Sequence, residues 1–319
     1  MMAKNDDVYR VLQEHLDRHP VGFPKTISGA ELKVLKHIFT PEQARVAAFL
    51  DYRFQSLEEI YEKHASSGYA KEDLKQTLDQ IASKGGIGFR NRDGQYFYCN
   101  MPLVVGMYEG FLDNLTQDFI KDFGKYTNSP SFGISFLSTS VPQMRTIPVA
   151  ESVTPEHQVS SFDQVSALIE ESPGPFAVVE CICRKKKAME GEKCKVTDRK
   201  ETCMAANEIA AAALAHGMGR EISKQDAIDV LSENKKQGLV LQPSNTQEIE
   251  FVCSCCGCCC GMLSIQKQLP RPLDFWAANF YAVMNMEKCT QCGLCAKKCQ
   301  VEAITVKKKN KKVVAVKLN

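Results

Sequence analysis

The sequence predicts an α+β multi-domain chain: a helical domain over 1–126, a central α/β cysteine-rich domain over 144–270 and a small C-terminal module over 271–319. Three observations carry this. Apolar residues recur at helical spacing through the first third of the chain. From about residue 145, strand-like and helix-like segments alternate. Fourteen of the fifteen cysteines fall into three knots between Cys181 and Cys299, and the first third holds only Cys99, which reads as a core thiol. At 319 residues, 44% hydrophobic and 24% charged, the chain can bury two or three ordinary cores. Its net charge of +2 gives no global bias toward nucleic acid or membrane.

Val8, Leu12 and Leu16 stripe a first helix, which the stretch Pro20 to Pro24 breaks. Ser28 leads a second, with Leu32, Leu35 and Ile38 on one face. Thr40, Pro41 and Gln43 read as N-cap, first-turn proline and capping-box partner of a third, through Ala44, Ala47, Ala48 and Leu50. Ser56 and Glu59 cap a short helix with Leu57, Ile60 and Tyr61 inward. Lys71 to Ser83 is another, with Leu74, Leu78 and Ile81, stopped by Gly85-Gly86. Ile87 to Tyr98 then reads as a hairpin turning at Asp93-Gly94.

Helix, helix and hairpin over 56–98 resemble a winged helix, which implies DNA binding. The charges oppose that implication. Lys71 and Lys75 on the would-be recognition helix face Glu72, Asp73 and Asp79, where a phosphate backbone needs a basic face. Arg90 and Arg92 are the supporting feature. Nucleic acid is therefore not the expected partner, and docking or dimerisation is the expected role. Residues 103–126 read as one long amphipathic helix (Tyr108, Leu112, Leu115, Phe119, Phe123). The Ser-, Pro- and Thr-rich stretch 127–143 reads as a boundary loop.

In the central region Arg145 to Ala150 is expected as a strand, Ser161 to Glu170 as a capped helix, and Phe176 to Cys183 as a buried strand. Met204 to His216 is alanine-rich and reads as a helix. Ser223 and Asp226 form a capping box opening a helix that stops at Gly238. Leu239 to Leu241 and Ile249 to Val252 supply further strands, the last delivering the second knot.

The first knot is Cys181, Cys183, Cys194 and Cys203, four thiols that can satisfy one cubane. Cys181 and Cys183 would share a strand face, and Cys203 would open a helix whose dipole favours a thiolate. Arg184, Lys185, Lys186 and Lys187 read either as counter-charge or as a solvated loop. The second knot is Cys253, Cys255, Cys256, Cys258, Cys259 and Cys260. Six thiols within eight residues cannot all reach one cubane, and adjacent ones diverge, so they serve different centres or include spare thiols. The economical reading folds both knots, ten thiols, around one or two clusters. Zinc is the alternative at these two knots. The repeated Cys-Cys-Gly is similar to the cysteine-rich domain of heterodisulfide reductases, which implies thiol chemistry at a non-cubane cluster. The remaining cysteine spacing departs from that family.

The third knot, Cys289, Cys292, Cys295 and Cys299, has the C-x2-C-x2-C-x3-C spacing that lets thiolates converge on one cubane, with Gly293 allowing the tight turn. On these residues the segment 285–319 resembles a bacterial 4Fe-4S ferredoxin domain. Gln300 stands where that family has proline. Residues 303–307 and 313–317 read as a hairpin, and no second run of cysteines follows it, so a truncated two-cluster module is expected. Either the second run lies beyond residue 319, or Cys299 completes its own loop's cluster, or a distant thiol of the second knot does. Lys307, Lys308, Lys309, Lys311 and Lys312 at the hairpin turn would steer an acidic partner or simply be solvated. Phe275, Trp276, Phe280 and Tyr281 are expected to pack the module onto the central domain.

No GxGxxG follows a strand, and no Ser-His-Asp or Cys-His arrangement stands out. The expected function is iron–sulfur electron transfer, relaying low-potential electrons to or from a partner ferredoxin or oxidoreductase through at least one 4Fe-4S cluster, and through two or three if the upstream knots also hold iron. The alternatives are a cluster-sensing transcriptional regulator and a thiol or disulfide reductase acting at Cys253–Cys260. The whole chain resembles winged-helix-bearing 4Fe-4S proteins of strict anaerobes. The start, MMAKNDD, lacks an apolar signal-peptide core, and no stretch has membrane-spanning length. A cytoplasmic location follows as an expectation, where cysteines are metal ligands rather than disulfides.

Overall fold

The structure is a computed structural model describing residues 2–147, 165–280, 282–309 and 312–318. The chain divides into two compact units, Met1–Val141 with Ala211–Met218, and Pro142–Ala210 with Gly219–Asn319.

The first unit begins with α1 (Met2–Leu16), α2 (Ala30–Ile38) and α3 (Pro41–Ala47). Thr40 accepts from the Gln43 amide and Gln43 Oε1 accepts in return from the Thr40 amide, so the expected capping box forms. Strand β1 (Gln55–Ser56) leads into α4 (Leu57–Lys63), capped reciprocally by Ser56 and Glu59. Helix α5 (Lys71–Ser83) and the hairpin β2 (Gly88–Arg92) and β3 (Gln95–Cys99) follow, with β1 pairing antiparallel onto β3. The hairpin turns at Asp93 and Gly94, both at positive φ. Leu12, Val34, Leu35, Leu50, Ile60, Leu74, Leu78 and Ile81 are fully buried here, and Cys99 is a core thiol.

Two expectations fail in this unit. The long helix over 103–126 is broken. Leu103–Met107 is an irregular turn with Val105 at φ 57°, α6 (Tyr108–Gly110) is one short turn, and α7 (Gln117–Thr127) starts afresh after its N-cap Thr116. Gly110 lies backbone to backbone against Gly85, an approach that any Cβ at Gly85 would block. The supposed boundary loop contains α8 (Pro130–Leu137), which Ser129 caps.

The second unit is built on a five-stranded sheet of order β7-β5-β6-β9-β8. In chain order the elements from residue 142 on are β4 (Arg145–Thr146), α9 (Val165–Glu171), β5 (Phe176–Glu180), α10 (Ile182–Met189), β6 (Glu201–Ala206), α11 (Asn207–Ala215, whose residues from Ala211 on are counted with the first unit), β7 (Arg220–Ile222), α12 (Lys224–Lys236), β8 (Val240–Pro243), β9 (Phe251–Cys255), α13 (Gly261–Gln268), β10 (Ala277–Ala278), α14 (Leu294–Lys298), β11 (Ile304–Lys309) and β12 (Lys312–Leu318). Every pairing within the five-stranded sheet is antiparallel, which corrects the α/β expectation. The strand expected to run to Ala150 and the start of the helix at Ser161 lie outside the described residues, as do Tyr281 and Lys311.

Alternation along the strands divides the sheet. Phe176, Val178, Met204, Val252 and Leu241 pack with Leu168 and Ile169 of α9 and with Ala227 and Leu231 of α12. Their strand neighbours Cys203, Cys253 and Cys255 therefore sit on the opposite face. Two corrections follow for the first knot. Met204–Ala206 belong to β6, so Cys203 lies inside a strand and not at a helix start. The alanines there are buried by pairing with β5 and β9, which overrides their helical preference. The strand after Phe176 stops at Glu180, so Cys181 is the N-cap of α10 and the basic run Arg184 to Lys187 is helical.

Candidate metal–thiolate centres

The structure brings the first two knots together and then sorts their ten thiols into two sets. One set is Cys194, Cys256, Cys258 and Cys259, whose sulfurs all lie within 4.8 Å of one another. Cys194 Sγ is 3.6 Å from Cys256 and 3.8 Å from Cys258, and Cys258 is 3.6 Å from both Cys256 and Cys259. A tetrahedron with metal–sulfur bonds of about 2.3 Å has edges of about 3.8 Å. The set therefore suits one tetrahedral ion such as zinc, since a cubane spreads its thiolates over four separate iron corners. The Lys195 amide donates to Cys258 Sγ at 3.4 Å. Burial pushes the Cys194 thiol up, but the amides of Thr197 and Val196 and the Arg184 guanidinium outweigh it and bring Cys194 down to about 7.

The other six thiols form a closed ring of side-chain neighbours. Cys181 interacts with Cys183 and Cys203, Cys183 with Cys260, Cys260 with Cys255, Cys255 with Cys253, and Cys253 with Cys203. Strands β6 and β9 supply Cys203, Cys253 and Cys255 from the free face of the sheet. Helices α10 and α13 supply the rest: Cys181 and Cys260 are their N-caps, and Cys183 is in the first turn of α10. The amides of Arg184 and Leu263 face Cys181 and Cys260, as helix N-termini facing thiolates do. Cys194 was grouped with Cys181, Cys183 and Cys203 by sequence, but the fold places it in the four-thiol set.

Arg184 sits between the sets. It is buried, donates to Thr202 Oγ1 and, at 3.0 Å, to the Ser254 carbonyl, and its charge acts on Cys181 and Cys203 of the ring and on Cys194 and Cys256 of the tetrahedron. Asn234, fully buried on α12, holds the strands beneath by donating to Thr202 O and Ser254 Oγ, both at 2.9 Å. Sequence reading missed Asn234, Thr202 and Ser254, and no local motif marks them.

In the third knot Gln291 and Gly293, at φ 57° and 73°, turn the chain into α14. The Leu294 amide and the Thr290 side chain hold the Cys292 thiol below its ordinary value, and the Ala303 amide donates to Cys299 Sγ at 3.3 Å. Four thiols at this spacing, two of them met by such donors, fit a cubane's ligand set. Cys292 and Cys295 are exposed, so this edge faces solvent. Residues 282–305 match the family model of the 4Fe-4S binding domain.

The chain therefore carries a 4Fe-4S binding domain near its C-terminus. No curated protein and no solved structure matches the chain. The 4Fe-4S domain is tied to the second knot through Gln300, the residue after Cys299. Gln300 Oε1 accepts from the Gly257 amide at 2.8 Å, and Lys267 Nζ joins the Gly257 carbonyl at 3.0 Å to Glu302 at 2.7 Å. The glutamine at the family's proline position is thus a docking residue. Trp276 is buried, while Phe275 is exposed. No helix among the described residues is long and apolar enough to cross a membrane.

Proposed function

We propose that the chain relays low-potential electrons between a partner oxidoreductase and a second centre in its central thiol pocket. The observation that carries this reading is the joining of the Cys299 loop to the Cys256–Cys259 loop, directly by the Gly257–Gln300 hydrogen bond and indirectly by Lys267, which bridges the Gly257 carbonyl and Glu302. Cys289, Cys292, Cys295 and Cys299 would hold the 4Fe-4S cluster, which when bound supplies one-electron exchange. The protein's own part is placement. Cys292 and Cys295 open one edge to a partner, Lys297 and Lys298 on the exposed end of α14 favour an acidic one, and Gln300 fixes the other edge against the second knot. The tetrahedral thiol set would hold zinc and brace that loop.

The N-terminal unit, in the order strand, two helices, hairpin, is read as a winged-helix-like docking or dimerisation element. Lys71 and Lys75 on α5 are engaged by Glu58 and Asp79, which leaves its outer face poor in free cations for a phosphate backbone. A cytoplasmic setting accords with metal ligation by the cysteine knots, since thiols stay reduced there.

The test is stopped-flow exchange between the anaerobic, dithionite-reduced protein and an oxidised low-potential ferredoxin. Wild type should exchange electrons, and Cys292→Ser should lose the reduced-cubane EPR signal and the fast exchange together. Equal rates for both proteins would sink the relay.

A further inference from the structure

We infer that Cys181, Cys183, Cys203, Cys253, Cys255 and Cys260 together ligate one polynuclear, sulfide-bridged iron cluster, separate from both the four-thiol site and the ferredoxin-type cluster. This deepens the relay reading by giving the second centre its ligands. Its test reads metal content rather than electron flow, so the two can fail separately.

The spacing of the six sulfurs decides between cores. A single tetrahedral ion gathers four thiolates with mutual distances of about 3.8 Å. Two ions bridged only by thiolates would each gather such a foursome. Among the described residues the group with all ligand atoms mutually within 4.8 Å is Cys194, Cys256, Cys258 and Cys259, and no three of the ring's thiols join it or form another. Each ring thiol instead has two thiol neighbours, one on either side in a closed chain of six. A ring of that kind fits a core in which inorganic sulfide bridges the metals, so that each iron takes only one or two thiolates.

The surroundings agree. Two independent helix N-termini, of α10 and α13, end on the ring thiols Cys181 and Cys260, and the Arg184 charge acts on Cys181 and on Cys203. These are the fixed positive dipoles and charge that an anionic thiolate cluster needs in a buried site. Apolar walls come from Leu263 and, less buried, from Val240, Met262 and Val301. The ring is also continuous with the docking contact, because Cys255, Cys256 and Gly257 are consecutive.

The experiment measures iron, acid-labile sulfide and zinc per chain on the full-length protein purified without oxygen. It compares wild type with Cys292→Ser/Cys295→Ser, Cys183→Ser/Cys260→Ser, and Cys258→Ser. Wild type should hold clearly more than the about four irons of one cubane. The first variant should lose the ferredoxin-type EPR signal and keep the excess iron with matching sulfide. The second should lose the excess and keep both that signal and zinc. Cys258→Ser should lose zinc alone. Wild-type iron of about four per chain, or a Cys183→Ser/Cys260→Ser protein with its full iron, overturns the assignment. If the ring variant fails to fold, Mössbauer spectra of 57Fe-grown wild type decide: subspectra beyond those of one cubane support the cluster, and a single cubane's spectrum refutes it.

Discussion

Replacing Gly257 with alanine places a methyl group where Gln300 already lies. The new Cβ would overlap the Gln300 carbonyl oxygen, sit 2.9 Å from its carbonyl carbon and come within 3.2 Å of Lys267 Nζ. The oxygen would lie 1.9 Å away, where a Cβ contact needs about 3.0 Å, so the two loops must separate by about 1.1 Å or more. That shift takes the 2.8 Å Gly257–Gln300 hydrogen bond past the usual limit. Overpacking of this kind costs about 1–3 kcal/mol. At about 1.4 kcal/mol per factor of ten, opening of the 4Fe-4S domain from its seat should become roughly five- to a hundredfold more frequent. Hydrogen exchange on the metal-loaded protein reads this directly in the amides of α14 and of residues 299–303. Gly261→Ala is the control, since nothing lies within 4 Å of a Cβ there. Equal protection in the two variants would refute the docking argument.

Asn234→Ala should destabilise the central unit by about 1–3 kcal/mol, because the Thr202 carbonyl, the Ser254 hydroxyl and Arg199 all lose a buried partner. Calorimetry of the loaded protein should show a Tm several degrees lower, and an unchanged Tm would contradict this. Glu31 is buried, which alone would raise its pKa, but bonds from Thr26 and Arg10 outweigh burial and lower it. A carboxylate depressed in the folded state adds stability above its unfolded value near 4.3, and that stability fades as pH falls through the folded value. Protection of α2 amides should therefore drop below about pH 4 in wild type, and Glu31→Gln should flatten that drop while lowering protection at neutral pH. Lys297→Glu with Lys298→Glu should slow exchange with an acidic ferredoxin about tenfold at low salt, with little difference at high salt. An undiminished rate at low salt would move the partner surface elsewhere.

Local chemistry was the legible part of this chain. The capping boxes at Thr40, Ser56 and Ser223 form as their spacing predicts, since partner and cap are three residues apart. The ferredoxin loop was legible for the same reason: all four thiols lie within eleven residues. That the first two knots fold together was expected as the economical use of ten thiols, and the divergence of adjacent cysteines already argued for more than one centre. Their partition was not legible. Whether Cys255 or Cys256 joins the ring depends on where β9 ends, and Cys203 points to the ring because β6 pairs with β5 and β9. Those are contacts between residues far apart in sequence, and the alanine run around Cys203 favours a helix on local grounds. The broken helix near Gly110 has a similar origin in a partner at Gly85.

The ring's architecture also sets a timetable for making the protein. Three of its thiols precede residue 204 and three follow residue 252, and β6 and β9 must pair before the two halves meet. A ribosome that has exposed the chain only as far as β8 has released Cys181, Cys183 and Cys203 with no partners for closure. On the ring assignment inferred above, its metal loading would be a late event in biogenesis, after synthesis has passed Cys260. A cell short of iron or sulfide would accumulate chains whose sheet has formed around an empty thiol ring, and these are the molecules on which oxidative damage and quality control would act first.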